Sequence, residues 1–320
     1  MGQSDKAMTQ AATFTAQLSA IRYGAKDTVL LEFTPMSETS LPLADAGAHI
    51  DVHLPSGLIR QYSLITPLTN QDVYVIAVKK DAHSRGGSTW LHEHARVGMQ
   101  LTLSMPRNNF ALRTSDAPVA LIAGGIGITP IYSLLAALDN THRQVHLHYW
   151  CKSPQEALFI NTLGSRNNVS IYYSNAESTF TIRDLMSTLT VDTEIYCCGP
   201  QRMLDELSTV TADRSAPVYV EKFGAVEAVA NDAAFTVFLA KSGIEVQVEK
   251  GTSILDALKE TSADVMYSCE QGVCGACEVN VLDGEPIHRD NVRSEAEHQL
   301  KKTMIICCSG CKSDRLVLDI

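Results

Sequence analysis

The chain has 320 residues, room for two to three domains at about 150 residues each, and its 45% hydrophobic content excludes a disordered chain. With 26 basic against 36 acidic residues the net charge is -10, which disfavours nonspecific nucleic-acid binding, because that depends on cationic patches meeting phosphate. No run reaches the about 20 apolar residues of a membrane helix, and the first residues lack the apolar core of a secretory signal, so a cytoplasmic protein with no membrane partner is expected.

From about residue 10 to 112 the chain reads as short strands with turn signals between them. AHIDVHL (48–54), RQYSLI (60–65) and DVYVIAVKK (72–80) are candidates, and their alternation and spacing predict an antiparallel barrel or sandwich. Beyond 117 the pattern changes. APVALIAGG (117–125) is a continuous apolar run ending in glycine, as a buried parallel strand would be. Thr129 and Pro130 offer an N-cap and a first-turn proline for a helix over IYSLLAALDN. Further strands are expected at 144–150, 169–174, 194–199 and 216–223, so the middle of the chain reads as a parallel α/β domain. A linker of small and acidic residues follows. The last segment opens with a hairpin turning at Lys241-Ser242-Gly243 and a short amphipathic helix at 253–260. These changes divide the chain into 8–112, 113–226, a linker at 227–234, and 235–320.

Nine cysteines in a cytosolic chain are not expected to form disulfides. Six of them lie in the last 52 residues, which points to a metal site in a C-terminal module. Cys269, Cys274 and Cys277 have the spacing C-x4-C-x2-C, which plant-type ferredoxins use for a [2Fe-2S] cluster. Iron bridged by sulfide favours soft thiolates, and Gly272 and Gly275 let the loop turn backbone N–H groups toward them. Cys307, Cys308 and Cys311 compete for the fourth place, on a strand read from TMIICC. A rival pairing, Cys274-x-x-Cys277 with Cys308-x-x-Cys311, would make a zinc ribbon. That reading leaves Cys269 unexplained and gives the preceding hairpin and helix no purpose.

Two other motifs stand out. Gly124-Gly125-Ile126-Gly127-Ile128-Thr129-Pro130 lies between a buried strand and a helix, where glycines allow close approach and the helix terminus offers N–H groups to a pyrophosphate. Arg60-Gln61-Tyr62-Ser63 places a guanidinium suited to a phosphate and a ring suited to stacking at a strand end. His92-x-His94 and His146-x-His148 lack an evident third ligand and are read as surface or strand histidines. No hydrolase triad signature is present.

GGIGITP and Tyr196-Cys197-Cys198-Gly199-Pro200 with Met203 resemble the ferredoxin–NADP reductase superfamily, and residues 235–320 resemble its β-grasp ferredoxin partner. Taken in order, the three signatures resemble the phthalate dioxygenase reductase family, which includes the reductases of vanillate demethylases. The resemblance implies three modules: an antiparallel β-barrel for FMN, a parallel α/β domain for NADH, and a plant-type ferredoxin domain. It implies flavin contacts from Arg60 (phosphate), Gln61, Tyr62 (ring), Ser63 (N5 edge), Ala77, Val78, Lys79, Gly86, Gly87, Ser88 and Phe223. It implies nucleotide contacts from Gly125, Gly127, Thr129, Cys198, Gly199 and Pro200, with Ser63 and Cys198 beside the reacting rings. Cys197 is expected to be a buried bystander. The 29-residue gap after Cys277 matches plant-type ferredoxins, so Cys307 joins Cys269, Cys274 and Cys277 as ligands by resemblance. The implied activity is oxidation of NADH, hydride passage to FMN, and delivery of single electrons through the cluster to a terminal Rieske-type oxygenase acting on an aromatic or related compound. A di-iron monooxygenase or another acceptor is the alternative partner. A monomer is expected.

Overall fold

The computed structural model describes residues 12–36, 40–65, 72–82, 84, 86–174, 180–224, 233–293, 295–300 and 302–320. It divides into two compact units, Thr13–Phe223 and a second that comprises Gly224–Ile320. The expected linker lies, apart from its last two residues, outside the described residues.

The first unit opens with β1 (Thr13–Ala25), β2 (Thr28–Pro35), β3 (His49–His53), β4 (Ile59–Ser63), β5 (Tyr74–Lys79), α1 (Gly87–His94) and β6 (Gln100–Ser104). The six strands form one antiparallel sheet in the order β4-β3-β6-β1-β2-β5. A bridge between Leu64 and Ile76 joins the two edges and makes the sheet a barrel. Alternate residues such as Leu31, Phe33, Ile50, Val52 and Leu103 fill its interior. His92 and His94 fall on α1, where residues two apart do not share a face. His92 Nε2 lies 2.9 Å from Val78 O, and His94 stacks on Trp90.

A parallel sheet follows, ordered β11-β10-β7-β8-β9. Its strands are β7 (Val119–Gly124), β8 (Val145–Cys151), β9 (Val169–Tyr173), β10 (Glu194–Gly199) and β11 (Val218–Lys222). Its helices are α2 (Ile128–Leu138), α3 (Ile160–Leu163), α4 (Ile182–Met186) and α5 (Gln201–Val210). Every residue of β7 is buried, and its side chains alternate between two cores. Val119, Leu121 and Ala123 meet Ile131 and Leu134 of α2. Ala120 and Ile122 meet Leu185, Leu204 and Leu207 on the other face. This two-sided burial is why the segment reads as an uninterrupted apolar run. Barrel and parallel sheet share a core through Ala25, Ala46, Ile65, Ala77 and Phe110. The Gly47 N–H donates to Ser133 Oγ at 2.9 Å across the same seam.

The second unit contains β12 (Phe235–Leu239), β13 (Ile244–Val248), α6 (Ile254–Lys259), β14 (Glu278–Asp283), β15 (Pro286–Ile287), α7 (Glu295–Leu300), β16 (Thr303–Ile305), β17 (Gly310–Cys311) and β18 (Arg315–Leu318). Its main sheet is mixed, in the order β13-β12-β18-β14-β16, with β12 and β18 parallel. Ile254, Leu255 and Leu258 of α6 close its core, a β-grasp arrangement. Ser253 caps α6, accepting from the Asp256 N–H at 3.0 Å.

Two local expectations change. Helix α2 begins at Ile128 after a 3₁₀ turn over Gly125–Gly127, so Thr129 lies inside the helix rather than capping it. Its Oγ1 donates to Ile126 O at 3.1 Å. The strand expected over TMIICC ends at Ile305, and residues 306–308 form a turn, so Cys307 and Cys308 do not alternate across a strand.

On β3, Asp51 is fully buried and pairs with Arg107 at 2.7 Å, while the neighbouring His49 is 1% exposed. Burial pushes the His49 imidazole down to about 3, with Arg107 adding to the effect and Asp51 opposing it. The native ring is therefore neutral, whereas an unfolded histidine protonates near about 6.5. The unfolded state binds more protons, so stability falls as pH drops from about 6.5 toward 3. Denaturant unfolding should show about 2 kcal/mol lost from this residue between about pH 7 and about pH 5. His49→Gln should remove that part of the pH dependence; an unchanged slope would refute the assignment.

Candidate functional site

The strand order of the parallel sheet reverses between β7 and β10, and in such sheets ligands bind where the order reverses, beyond the carboxyl ends of the strands. Both expected nucleotide motifs end there. Gly124–Gly127 follows β7 and Cys198–Pro200 closes β10. The two turns pack closely at their glycines. A Cβ on Gly127 would lie 2.3 Å from Cys198 O, and one on Gly124 would lie 2.6 Å from Pro200 Cδ and 2.8 Å from Met203 Sδ. Gly125 instead has φ 55° and nothing within 4 Å of its Cβ direction. It opens onto a hollow of about 360 Å³, lined also by Trp150, Pro200 and Met203, with Lys79 and Glu156 on its barrel side. Those last two pair at 3.2 Å and tie β5 to the turn after β8.

Cys197 and Cys198 are both buried at 0% exposure, on opposite faces of β10. Of the pair, only Cys197 was expected to be fully enclosed. Burial holds the Cys198 thiol well above its ordinary range, and Glu221 adds to the effect. Glu221 is a residue that the sequence reading passed over. It pairs with Cys198 in register, its Oε2 is enclosed with no hydrogen-bond partner among the described residues, and burial raises it to about 8. An uncharged carboxylic acid at this junction can donate a proton or a hydrogen bond near neutral pH. In VYVEK Val220 faces out and the acid is turned inward, the reverse of a half-buried strand, which only the strand pairing reveals.

On the barrel side, Arg60 and Tyr62 project from β4 to the same face, and Ser63 from the other. Ser63 is 5% exposed, and its Oγ has no hydrogen-bond partner among the described residues. Burial holds the Tyr62 hydroxyl above its ordinary range, partly offset by Arg60. Arg60 packs against the start of α1: a Cβ on Gly87 would lie 2.5 Å from Arg60 Cγ. Gly86 at the N-cap has no side chain, and Ser84 Oγ takes only the Thr89 N–H of the first turn, at 3.5 Å, so the Gly87 and Ser88 N–H groups and the guanidinium together offer donors to an anion. The Gly86 N–H is engaged by Ser84 Oγ at 3.2 Å, and Ser88 Oγ donates to Ser84 Oγ at 3.0 Å. Gly87 and Arg60 are therefore the better-placed part of the expected phosphate loop. Ala77 and Val78 are buried in β5, Gln61 pairs with Asp51, and Phe223 is 41% exposed just after β11. The unpartnered Ser63 hydroxyl and the uncapped helix beside Arg60 fit a flavin phosphate and ring.

In the second unit the cysteines form two pairs. Cys269 pairs with Cys274, and Cys277 with Cys307. Backbone amides aim at the sulfurs: Gly272 N–H at Cys307 Sγ (3.3 Å), Gln271 N–H at Cys269 Sγ (3.4 Å) and Ala276 N–H at Cys274 Sγ (3.5 Å). Hydrogen bonds from Cys277, Cys308 and the Gly272 amide hold the Cys307 thiol well below its ordinary range. The rival zinc pairing would need Cys308 and Cys311 as ligands beside Cys274 and Cys277. Cys311 Sγ instead donates to Ser313 O at 2.7 Å, and Cys308 Sγ lies 3.6 Å from Ile305 O. Two thiol pairs fit a centre of two irons, each held by two cysteines.

Comparison with known proteins agrees with this geometry. Residues 237–312 match the family described as 2Fe-2S iron-sulfur cluster binding domain. The phenoxybenzoate dioxygenase subunit beta of Ectopseudomonas oleovorans is 41% identical over 321 residues, covering 98% of this chain and 100% of the relative. A crystal structure of phthalate dioxygenase reductase, described as modular for electron transfer from pyridine nucleotides to [2Fe-2S], superposes with a TM-score of 0.71 at 33% identity, covering 97% and 98% of the two chains. An intact type IV self-sufficient cytochrome P450 monooxygenase superposes with a TM-score of 0.88 at 34% identity over 96% of this chain, which spans only 41% of that longer protein. Fold and site define a flavin, pyridine-nucleotide and [2Fe-2S] oxidoreductase. The chain belongs to the phthalate dioxygenase reductase family of oxygenase reductase components. No described helix is long and apolar enough to cross a membrane.

Because Gly127 faces a backbone carbonyl that no rotamer change can move, Gly127→Ala should cost about 1–3 kcal/mol. Its melting temperature against that of the parent chain measures this, and an unshifted transition would mean that the contact is not a constraint.

Proposed function

We propose that this chain oxidises NADH, passes hydride to FMN, and sends single electrons through a [2Fe-2S] cluster to a partner Rieske-type oxygenase acting on an aromatic or related compound. The observation that carries the reading is the pairing of Cys269 with Cys274 and of Cys277 with Cys307, with three backbone amides aimed at their sulfurs. When bound, the flavin accepts a hydride and releases its electrons singly, and the cluster carries them one at a time.

Each residue has a positioning task. Arg60 and the first turn of α1 hold the phosphate; Tyr62 and Phe223 flank the ring; Ser63 offers its unpartnered hydroxyl to the ring edge. Gly125 admits the nucleotide's pyrophosphate, while Gly127, Cys198, Gly199 and Pro200 shape the floor on which the nicotinamide rests. Cys307 serves as the fourth ligand, supported by its Gly272 hydrogen bond. We assign 8–112 to the flavin, 113–226 to the nucleotide and 235–320 to the cluster, with 227–234 between them. FMN and NADH rest on the resemblance to family reductases with this module order. A haem monooxygenase is a second candidate acceptor, favoured by the P450 likeness; reconstitution with each purified oxygenase separates the two.

Cys307→Ser should abolish cluster assembly, read as iron content and visible absorption, while leaving flavin reduction by NADH largely intact. If Cys308→Ser does this and Cys307→Ser does not, the ligand assignment falls. Arg60→Ala should weaken flavin retention by about 10-fold or more, the scale of a lost charged hydrogen bond; equal retention in equilibrium dialysis would remove Arg60 from the site.

A further inference from the structure

A second group of metal-ligating side chains lies in the C-terminal unit, apart from the four cysteines. His288 follows β15, Asp290 lies two residues on, and His298 comes from α7. One ligand atom from each lies within 4.8 Å of the others. The two imidazoles stack with centroids 3.8 Å apart and planes 14° from parallel. Asp290 has no exposed side-chain surface, and its Oδ2 is occupied by the Val292 and Arg293 N–H groups at 3.1 and 2.9 Å. Its other oxygen, Oδ1, is left facing the histidines.

An ordinary His–Asp pair does not account for this arrangement. His298 Nε2 lies 3.2 Å from Asp290 Oδ1, yet Oδ1 is enclosed and has no hydrogen-bond partner among the described residues, so the contact is off the donor line. His288 Nδ1 and His298 Nδ1 are likewise enclosed without partners among the described residues. Unpartnered enclosed polar atoms are costly, and one nitrogen of each histidine lies within 4.8 Å of an Asp290 carboxylate oxygen; a modest turn of one of the stacked rings would let both nitrogens face a common ion. On a tetrahedral zinc ion with bonds of about 2.0–2.1 Å, neighbouring ligand atoms stand about 3.3 Å apart, close to the spacing of the carboxylate oxygen and the imidazole nitrogen. Two imidazoles and a carboxylate suit a borderline divalent ion. A surface hollow of about 530 Å³, lined by both histidines with Glu285 and Lys302, leaves room for water as the fourth ligand.

We propose that His288, Asp290 and His298 form a binding site for a divalent transition ion of the zinc class, separate from the cysteine site. The ion braces α7 against the loop after β15. That loop also touches the cysteine turn: the Asn291 N–H donates to Gly272 O at 2.8 Å, and Gly272 in turn donates to Cys307 Sγ. The brace therefore bears on the segment that holds the proposed fourth ligand.

The test uses the full-length holoprotein, treated with a mild chelator and dialysed against zinc chloride, with zinc and iron measured together. One zinc per chain should bind with the iron retained, and His298→Ala and His288→Gln should each weaken zinc binding by more than the about 10–100-fold that a supporting residue costs. Zinc absorption-edge spectroscopy of the parent protein should show only nitrogen and oxygen ligands, with no sulfur at about 2.3 Å. The spectroscopy needs no variant, so it still decides if a substitution fails to fold. Equal zinc binding by folded, iron-loaded variants, sulfur in the zinc shell, or no zinc bound at 100 µM would each overturn the proposal.

Discussion

The nucleotide crevice depends on the contact of one peptide backbone with another. Gly127 lies against the Cys198 carbonyl, and Gly124 against Pro200 and Met203. Any side chain at the first position would meet an atom that cannot rotate away. The contact fixes the distance between the ends of β7 and β10, where the strand order reverses, and so fixes the floor of the hollow onto which Gly125 opens. The same closeness buries the Cys198 thiol and brings Glu221 beside it. Hydrophobic burial of β7 on both faces holds the arrangement from below.

The cysteine turn uses backbone geometry for a different purpose. Glu270, Gly272 and Gly275 have φ of 55°, 68° and 73°, the left-handed region. Successive reversals of this kind point N–H groups inward, making a concavity that favours anionic sulfur. Gly272 has a double role, donating to Cys307 Sγ and accepting from Asn291. Sulfur charge there is thus met by backbone amide dipoles.

Much of this was legible in the residues. Order, type and approximate bounds of most elements followed from apolar periodicity, because β7 and the barrel strands differ in how many faces they bury. The cysteine spacing and the glycine turns could be read directly, since both are local in sequence. Long-range pairings could not. Nothing in APVYVEKF alone says that Glu221 faces Cys198, because that depends on β10 and β11 being neighbours and on their register. Thr129 looked like a cap because a 3₁₀ turn cannot be told from a loop by composition; here Gly127 is drawn into the turn by its contact with Cys198. Cys307 and Cys308 looked like alternate strand positions, but the chain must turn at Ile306 to bring a sulfur to the Gly272 amide.

Nine thiols in one chain raise the question of how iron would be directed to four of them. The ligand is the thiolate, but burial and mutual pairing also hold Cys269 and Cys277 well above the ordinary range, so selection rests on which sulfurs the turn gathers and its backbone amides meet. In the first unit, burial pushes Cys151 up to about 11 and moves Cys197 and Cys198 higher still, leaving them protonated and inert. Cys311 is raised by burial and spends its hydrogen on Ser313. Cys308 is raised as well, and its hydrogen points to the Ile305 carbonyl at 3.6 Å. The Gly272 amide meets Cys307 while a backbone carbonyl takes the Cys308 hydrogen, so a chain with two adjacent cysteines can still present a single sulfur to the metal.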